Sequence, residues 1–107
     1  MITSAELNGF VDNLLNDVSD RYNNDEFEDG FAGALEEIKT AICKFFEEKE
    51  PDLKCEIAEY DPALDEIFDL VGDICEIAKY NQVREYFTTS WNGVYLCVIL
   101  TEKGDKQ

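Results

Sequence analysis

Val94-Tyr95-Leu96-Cys97-Val98-Ile99-Leu100 is apolar at every position and follows directly on Asn92-Gly93. A strand with no polar position is stable when both faces are covered or when it lies in the middle of a sheet. Asn-Gly readily takes the positive φ angles of a type I′ turn, whose twist suits two antiparallel strands. Together they predict a hairpin of strands over 83–89 and 94–101, the second strand being central. With Asn92-Gly93 as the loop, Trp91 opposes Val94, Thr89 opposes Leu96 and Phe87 opposes Val98 on one face, while Tyr86 and Ile99 lie on the other. The central strand needs a second neighbour. Leu53, Cys55 and Ile57 alternate with Lys54, Glu56 and Ala58 between Pro51 and Asp61, which supplies a short one.

Helical periods occupy the rest of the chain. Thr3 and Glu6 have the spacing of a capping box, with Ile2 and Leu7 placed for a hydrophobic staple. Leu7, Phe10, Val11, Leu14, Leu15, Val18 and Tyr22 follow as one apolar stripe, and Asn23-Asn24 ends it. A second helix is expected from Asp25 to Lys49, with Asp25, Glu26, Glu28 and Asp29 in its first turn, where acids complement the helix dipole. Its stripe is Phe31, Leu35, Ile38, Ile42, Phe45 and Phe46; Gly30, Gly33 and Ala34 allow a close neighbour, and Pro51 stops it. Asp25, Asp29, Gly30 and Glu36 coincide with ligand and glycine positions of a calcium-binding loop, but Phe27 stands where an oxygen ligand is required. No calcium site is expected.

A third helix is expected over Asp61–Lys79, with Asp61 as cap and Pro62 at its first position. Leu64, Ile67, Phe68, Val71, Ile74, Cys75 and Ala78 would form its buried face. Its other side carries Asp61, Asp65, Asp69 and Asp73 four residues apart, then Glu76, with no base among them. Like charges at that spacing cost about 0.2–0.5 kcal/mol per pair, and the dipole favours acids only in the first turn. The row is therefore read as a partner-binding surface, against the plain alternative of a solvated face. The element order α-α-β-α-β-β makes an α+β fold: one domain over 1–107, with three helices packed on a small three-stranded antiparallel sheet ending in a β-hairpin.

The balance of 25 acidic against 9 basic residues, a formal charge of -16, repels nucleic acid and anionic membrane and attracts basic protein surfaces. Disorder is the competing outcome of such charge, but 45% apolar content arranged periodically opposes it. With no histidine, the base of a nucleophilic triad is missing, and no glycine-rich phosphate loop is present, so catalysis is not expected. Cys43, Cys55, Cys75 and Cys97 are too widely spaced for a paired zinc motif and are read as reduced core thiols, with no metal or cofactor. No basic-then-apolar leader or membrane-length apolar run occurs, so a cytoplasmic location is expected.

Met1 to Ile38 has Arg21 as its one base, and Cys55 to Ala78 has none. DNA carries about one charge per 1.7 Å of duplex, so a single helical row at about 6 Å per charge is too sparse to imitate it. The acids Asp25, Glu26, Glu28 and Asp29 would have to join the row. In size and charge the chain is similar to the small acidic proteins with which phages and mobile elements block CRISPR effectors or restriction enzymes by occupying a DNA-binding groove. That resemblance implies an inhibitor whose partner is a basic, nucleic-acid-binding effector or nuclease. An immunity protein for a basic nuclease toxin would use the same surface. A third reading is an acidic interaction domain whose hairpin aromatics Tyr86, Trp91 and Tyr95 make the contact.

Overall fold

A computed structural model describes residues 2–75 and 83–102. The elements are α1 (Ser4–Asn23), α2 (Gly30–Lys49), β1 (Leu53–Tyr60), α3 (Ile67–Cys75), β2 (Val83–Trp91) and β3 (Val94–Glu102), in the expected α+β order. Chain contacts define two compact units, Met1–Glu50 and Pro51–Gln107.

The first unit is the pair α1 and α2. The capping box forms: the Glu6 N–H donates to Thr3 Oγ1 at 3.0 Å and the Thr3 N–H to Glu6 Oε1 at 3.5 Å. Phe10 stacks on Phe45 with ring centroids 4.1 Å apart, and Tyr22 meets Phe31 edge-on at 6.0 Å, so the two apolar stripes face each other along the helices. Val11 and Val18 of α1 and Ala34, Leu35, Ile38, Ile42 and Phe46 of α2 are buried.

The second helix begins at Gly30, later than the Asp25 start its acids suggest. The Asp25 N–H donates to the Tyr22 carbonyl at 3.1 Å and the Glu26 N–H to the Arg21 carbonyl at 2.9 Å. These are the two bonds of a Schellman motif, with Asp25 (φ 57°) in the left-handed position usually given to glycine. Gly30 (φ 61°) is a second left-handed residue, so the segment between them cannot be a first helical turn. Asp25, Glu26, Glu28 and Asp29 thus belong to the connection, and the first turn of α2 holds no acid. The connection is also the close neighbour that Gly33 admits, since a Cβ there would lie 3.2 Å from Asp29 Cβ.

In the second unit the sheet has the order β1-β3-β2, antiparallel throughout, with β3 central. Asn92 (φ 49°) and Gly93 (φ 84°) take the positive angles of the turn, and Trp91↔Val94, Thr89↔Leu96 and Phe87↔Val98 pair as the two-residue loop requires. β3 is buried from Leu96 through Thr101. On one sheet face Cys97 and Ile99 pack with Val71 of α3, joined by Tyr60, Ile67, Leu70, Ile74 and Val83. Leu96, Val98 and Leu100 alternate onto the other face and are buried there. No disulfide joins Cys43, Cys55 and Cys97 to one another; Cys97 is buried, and that burial raises its pKa.

α3 starts at Ile67 rather than Asp61, and its expected end beyond Cys75 lies outside the described residues. Asp61 Oδ1 accepts the Ala63 N–H and Asp65 Oδ2 accepts the Asp61 N–H, both at 2.9 Å, while the Asp61 carbonyl accepts from Leu64 and Asp65 at 2.9 and 2.8 Å. These bonds close a separate turn, because short acidic side chains compete with the helix for its backbone groups. The helix then starts afresh, with the Glu66 carbonyl accepting from Leu70 at 3.0 Å. Its packed stripe becomes Ile67, Leu70, Val71 and Ile74. Leu64 and Phe68, expected in the core, are instead 83% and 67% exposed, and Ala78 lies outside the described residues.

The left-handed Asp25 yields a direct test. Asp25→Gly removes the Cβ clash of that conformation and is expected to stabilise the protein by up to about 1 kcal/mol, whereas Asp25→Val should destabilise it by about 1–2 kcal/mol. Urea unfolding midpoints measure both changes.

Candidate functional site

The expected partner-binding acids fall in both units. Asp25, Glu26, Glu28 and Asp29 are exposed in the connection of the helical pair. Asp61, Asp65, Asp69 and Asp73 are exposed in the sheet unit, and Glu76 lies outside the described residues. The single helical row does not form across these four. Asp61 and Asp65 hold the closed turn, and only Asp69 and Asp73 share the face of α3, about 6 Å apart along its axis.

The bases are largely turned inward on the chain's own acids. Arg21 bonds Asp17 Oδ2 at 2.8 Å and Glu37 through both guanidinium nitrogens Nη1 and Nη2, and it lies 4.9 Å over the Phe27 ring. Glu37 first and Asp17 second push its pKa upward. Lys49 Nζ reaches Glu6 Oε2 at 3.1 Å, Lys54 reaches Glu56 at 3.3 Å, Arg84 reaches Glu102 at 3.3 Å and Lys39 reaches Glu36 at 4.0 Å. Exposed pairs of this kind contribute little stability. Their consequence is electrostatic: five cations are answered locally, while Asp61, Asp65, Asp69 and Asp73 have no ion pair among the described residues.

An open recess of about 450 Å³ lies where the end of β1, the hairpin tip and the Asp61–Asp65 turn meet, lined by Glu59, Tyr60, Asp61, Asp65, Gly93, Val94 and Tyr95. Tyr60 and Tyr95 are register partners on the sheet face that carries α3, with ring centroids 5.9 Å apart and planes tilted by 52°. Strand alternation sends the Glu59 and Val94 side chains to the other face, so the recess presents two phenol rings and two aspartates. Among the described residues no group of three or more acids or cysteines is placed to hold a metal ion. No helix among them is long and apolar enough to cross a membrane.

Of the hairpin aromatics, Tyr86 and Tyr95 are exposed but Trp91 is buried, which removes it from the contact surface expected of it. The partnership of Tyr60 with Tyr95 was not foreseen. Its signal was present all the same: once Asn92-Gly93 fixes the hairpin and β1 is placed beside β3, the last residue of β1 must meet the start of β3.

Comparison of the chain with protein-family models, with curated proteins and with solved structures gives no match.

The Glu6–Lys49 pair joins the start of α1 to the end of α2. The Lys49 ammonium, and next the Thr3 N–H, hold the Glu6 carboxyl below the ordinary glutamate range. A lowered folded pKa contributes stability above the unfolded value and loses it as pH falls through the folded one. An NMR titration should place the Glu6 midpoint below that of an unperturbed glutamate, and Lys49→Met should move it upward.

Proposed function

We propose that the protein is an acidic inhibitor that occupies the positively charged nucleic-acid-binding groove of a nuclease or DNA-binding effector by DNA mimicry, in the manner of anti-CRISPR or anti-restriction proteins. It acts by binding rather than by catalysis, in the cytoplasm of the cell that holds its target, a host cell if it is phage-encoded. The observation that supports this reading is the division of charge: five cations are engaged by the chain's own acids, whereas Asp69 and Asp73 of α3 are exposed and have no ion pair among the described residues. Such a surface has nothing to offer a phosphate backbone and favours the groups that bind one.

Asp69 and Asp73 alone are too few to replace a duplex with about one charge per 1.7 Å, and the connection acids Asp25, Glu26, Glu28 and Asp29 of the helical unit are a second acidic patch, tested by itself. An immunity protein against a basic nuclease toxin would compete for the same kind of groove. The identity of the bound nuclease separates the two.

Binding to a purified basic nuclease should compete with that nuclease's DNA and should weaken between about 0.1 and 0.5 M salt, as screening shortens. Asp69→Asn with Asp73→Asn, and separately Asp25→Asn, Glu26→Gln, Glu28→Gln and Asp29→Asn together, should each lower affinity by about tenfold with the circular dichroism spectrum intact. Affinity indifferent to salt, or a partner that still binds DNA when saturated with this protein, would sink the proposal.

A further inference from the structure

We propose that the recess between the Asp61–Asp65 turn, the end of β1 and the hairpin tip is a docking pocket for an arginine side chain of a basic protein partner. This rests on the reading of the partner as a basic protein and names the point at which that partner is gripped.

The chain itself shows what such a pocket requires. Arg21 is held over the Phe27 ring at 4.9 Å, with the carboxylates of Asp17 and Glu37 bonded to its guanidinium. The recess repeats these components from different elements: the rings of Tyr60 and Tyr95, and the carboxylates of Asp61 and Asp65. Among the described residues no arginine or lysine lines it. A guanidinium fits it better than an ammonium, because its plane can lie on a ring while its edge bonds carboxylate oxygens, and because it is more weakly hydrated.

The two aspartates are already positioned. Asp61 Oδ1 and Asp65 Oδ2 are each fixed by a backbone N–H at 2.9 Å, which orients the carboxylates and leaves Asp61 Oδ2 and Asp65 Oδ1 with no hydrogen bond among the described residues. Little side-chain freedom remains to be lost on binding. The mouth stays accessible, since Tyr95 is 42% exposed and a Cβ added to Gly93 at the hairpin tip would meet no atom within 4 Å. Two aspartates beside an apolar floor have charge complementarity with a cation and with no other common side chain.

The test uses N-acetyl-arginine methylamide as the probe, with the lysine and norleucine counterparts, each titrated into the full chain and followed by NMR of backbone amides and tyrosine rings. Saturable shifts confined to Tyr60, Asp61, Ala63, Gly93 and Tyr95 are expected with the arginine probe, weaker ones with lysine and none with norleucine. Tyr95→Thr, and separately Asp65→Asn, which keeps an acceptor for the Asp61 N–H, should each weaken the arginine response at least fivefold, with dichroism confirming the fold. Shifts of equal size at Asp25, Asp29, Asp69 and Asp73, or an unchanged response in Tyr95→Thr, would overturn the pocket. The probe needs no partner, so the two proposals fail separately. Local arginine binding without competition against DNA keeps the pocket and removes the inhibitor reading. Competition against DNA that Tyr95→Thr leaves undiminished removes the pocket and keeps the reading.

Discussion

Between Leu96 and Thr101 the central strand is buried at every residue, so its backbone groups must find their partners in β1 and β2 rather than in water. That requirement fixes the sheet unit. Because side chains alternate, a slip of one residue would exchange Cys97 and Ile99 with Leu96, Val98 and Leu100 and take Cys97 and Ile99 away from Val71. Asn92-Gly93 sets the register on one side by allowing only a two-residue loop. The same register, carried across to β1, brings Tyr60 opposite Tyr95 and so builds the floor of the recess.

The helical pair is held differently. Its interior is a run of aromatic and aliphatic contacts, and its two ends are closed by polar groups: the Schellman bonds from Asp25 to Tyr22 and from Glu26 to Arg21, and the Lys49–Glu6 pair at the opposite end. In a chain with a formal charge of -16, the five cations paired with its own acids each offset some of the self-repulsion of the compact state. Arg21, with two carboxylates and a ring, is the fullest case.

Within that surface the acids do not share one role. Asp61 and Asp65 give oxygens to backbone N–H groups and shape a turn, so a structural account suffices for their presence. Asp69 and Asp73 make no such bond among the described residues and stand on a short helix where like charges oppose its formation. The proposed inhibitor surface draws its physical support from the second kind, and the proposed arginine pocket from the unused oxygens of the first.

Local chemistry alone made much of this fold legible. The capping box at Thr3, the Asn92-Gly93 turn, the alternation of Leu53, Cys55 and Ile57 and the apolar run of β3 each bind their own neighbours, and the structure realises all of them. The starts of α2 and α3 were not legible, because acids near a helix start serve equally as first-turn residues or as turn-makers. The backbone settled that choice: Asp25 went left-handed, and Asp61 bonded its own turn. With α3 shortened, the packed stripe shifted to Ile67, Leu70, Val71 and Ile74 and left Leu64 and Phe68 in solvent. The pairing of Tyr60 with Tyr95 joins residues far apart in sequence, and only the assembled sheet could bring their rings together beside Asp61 and Asp65.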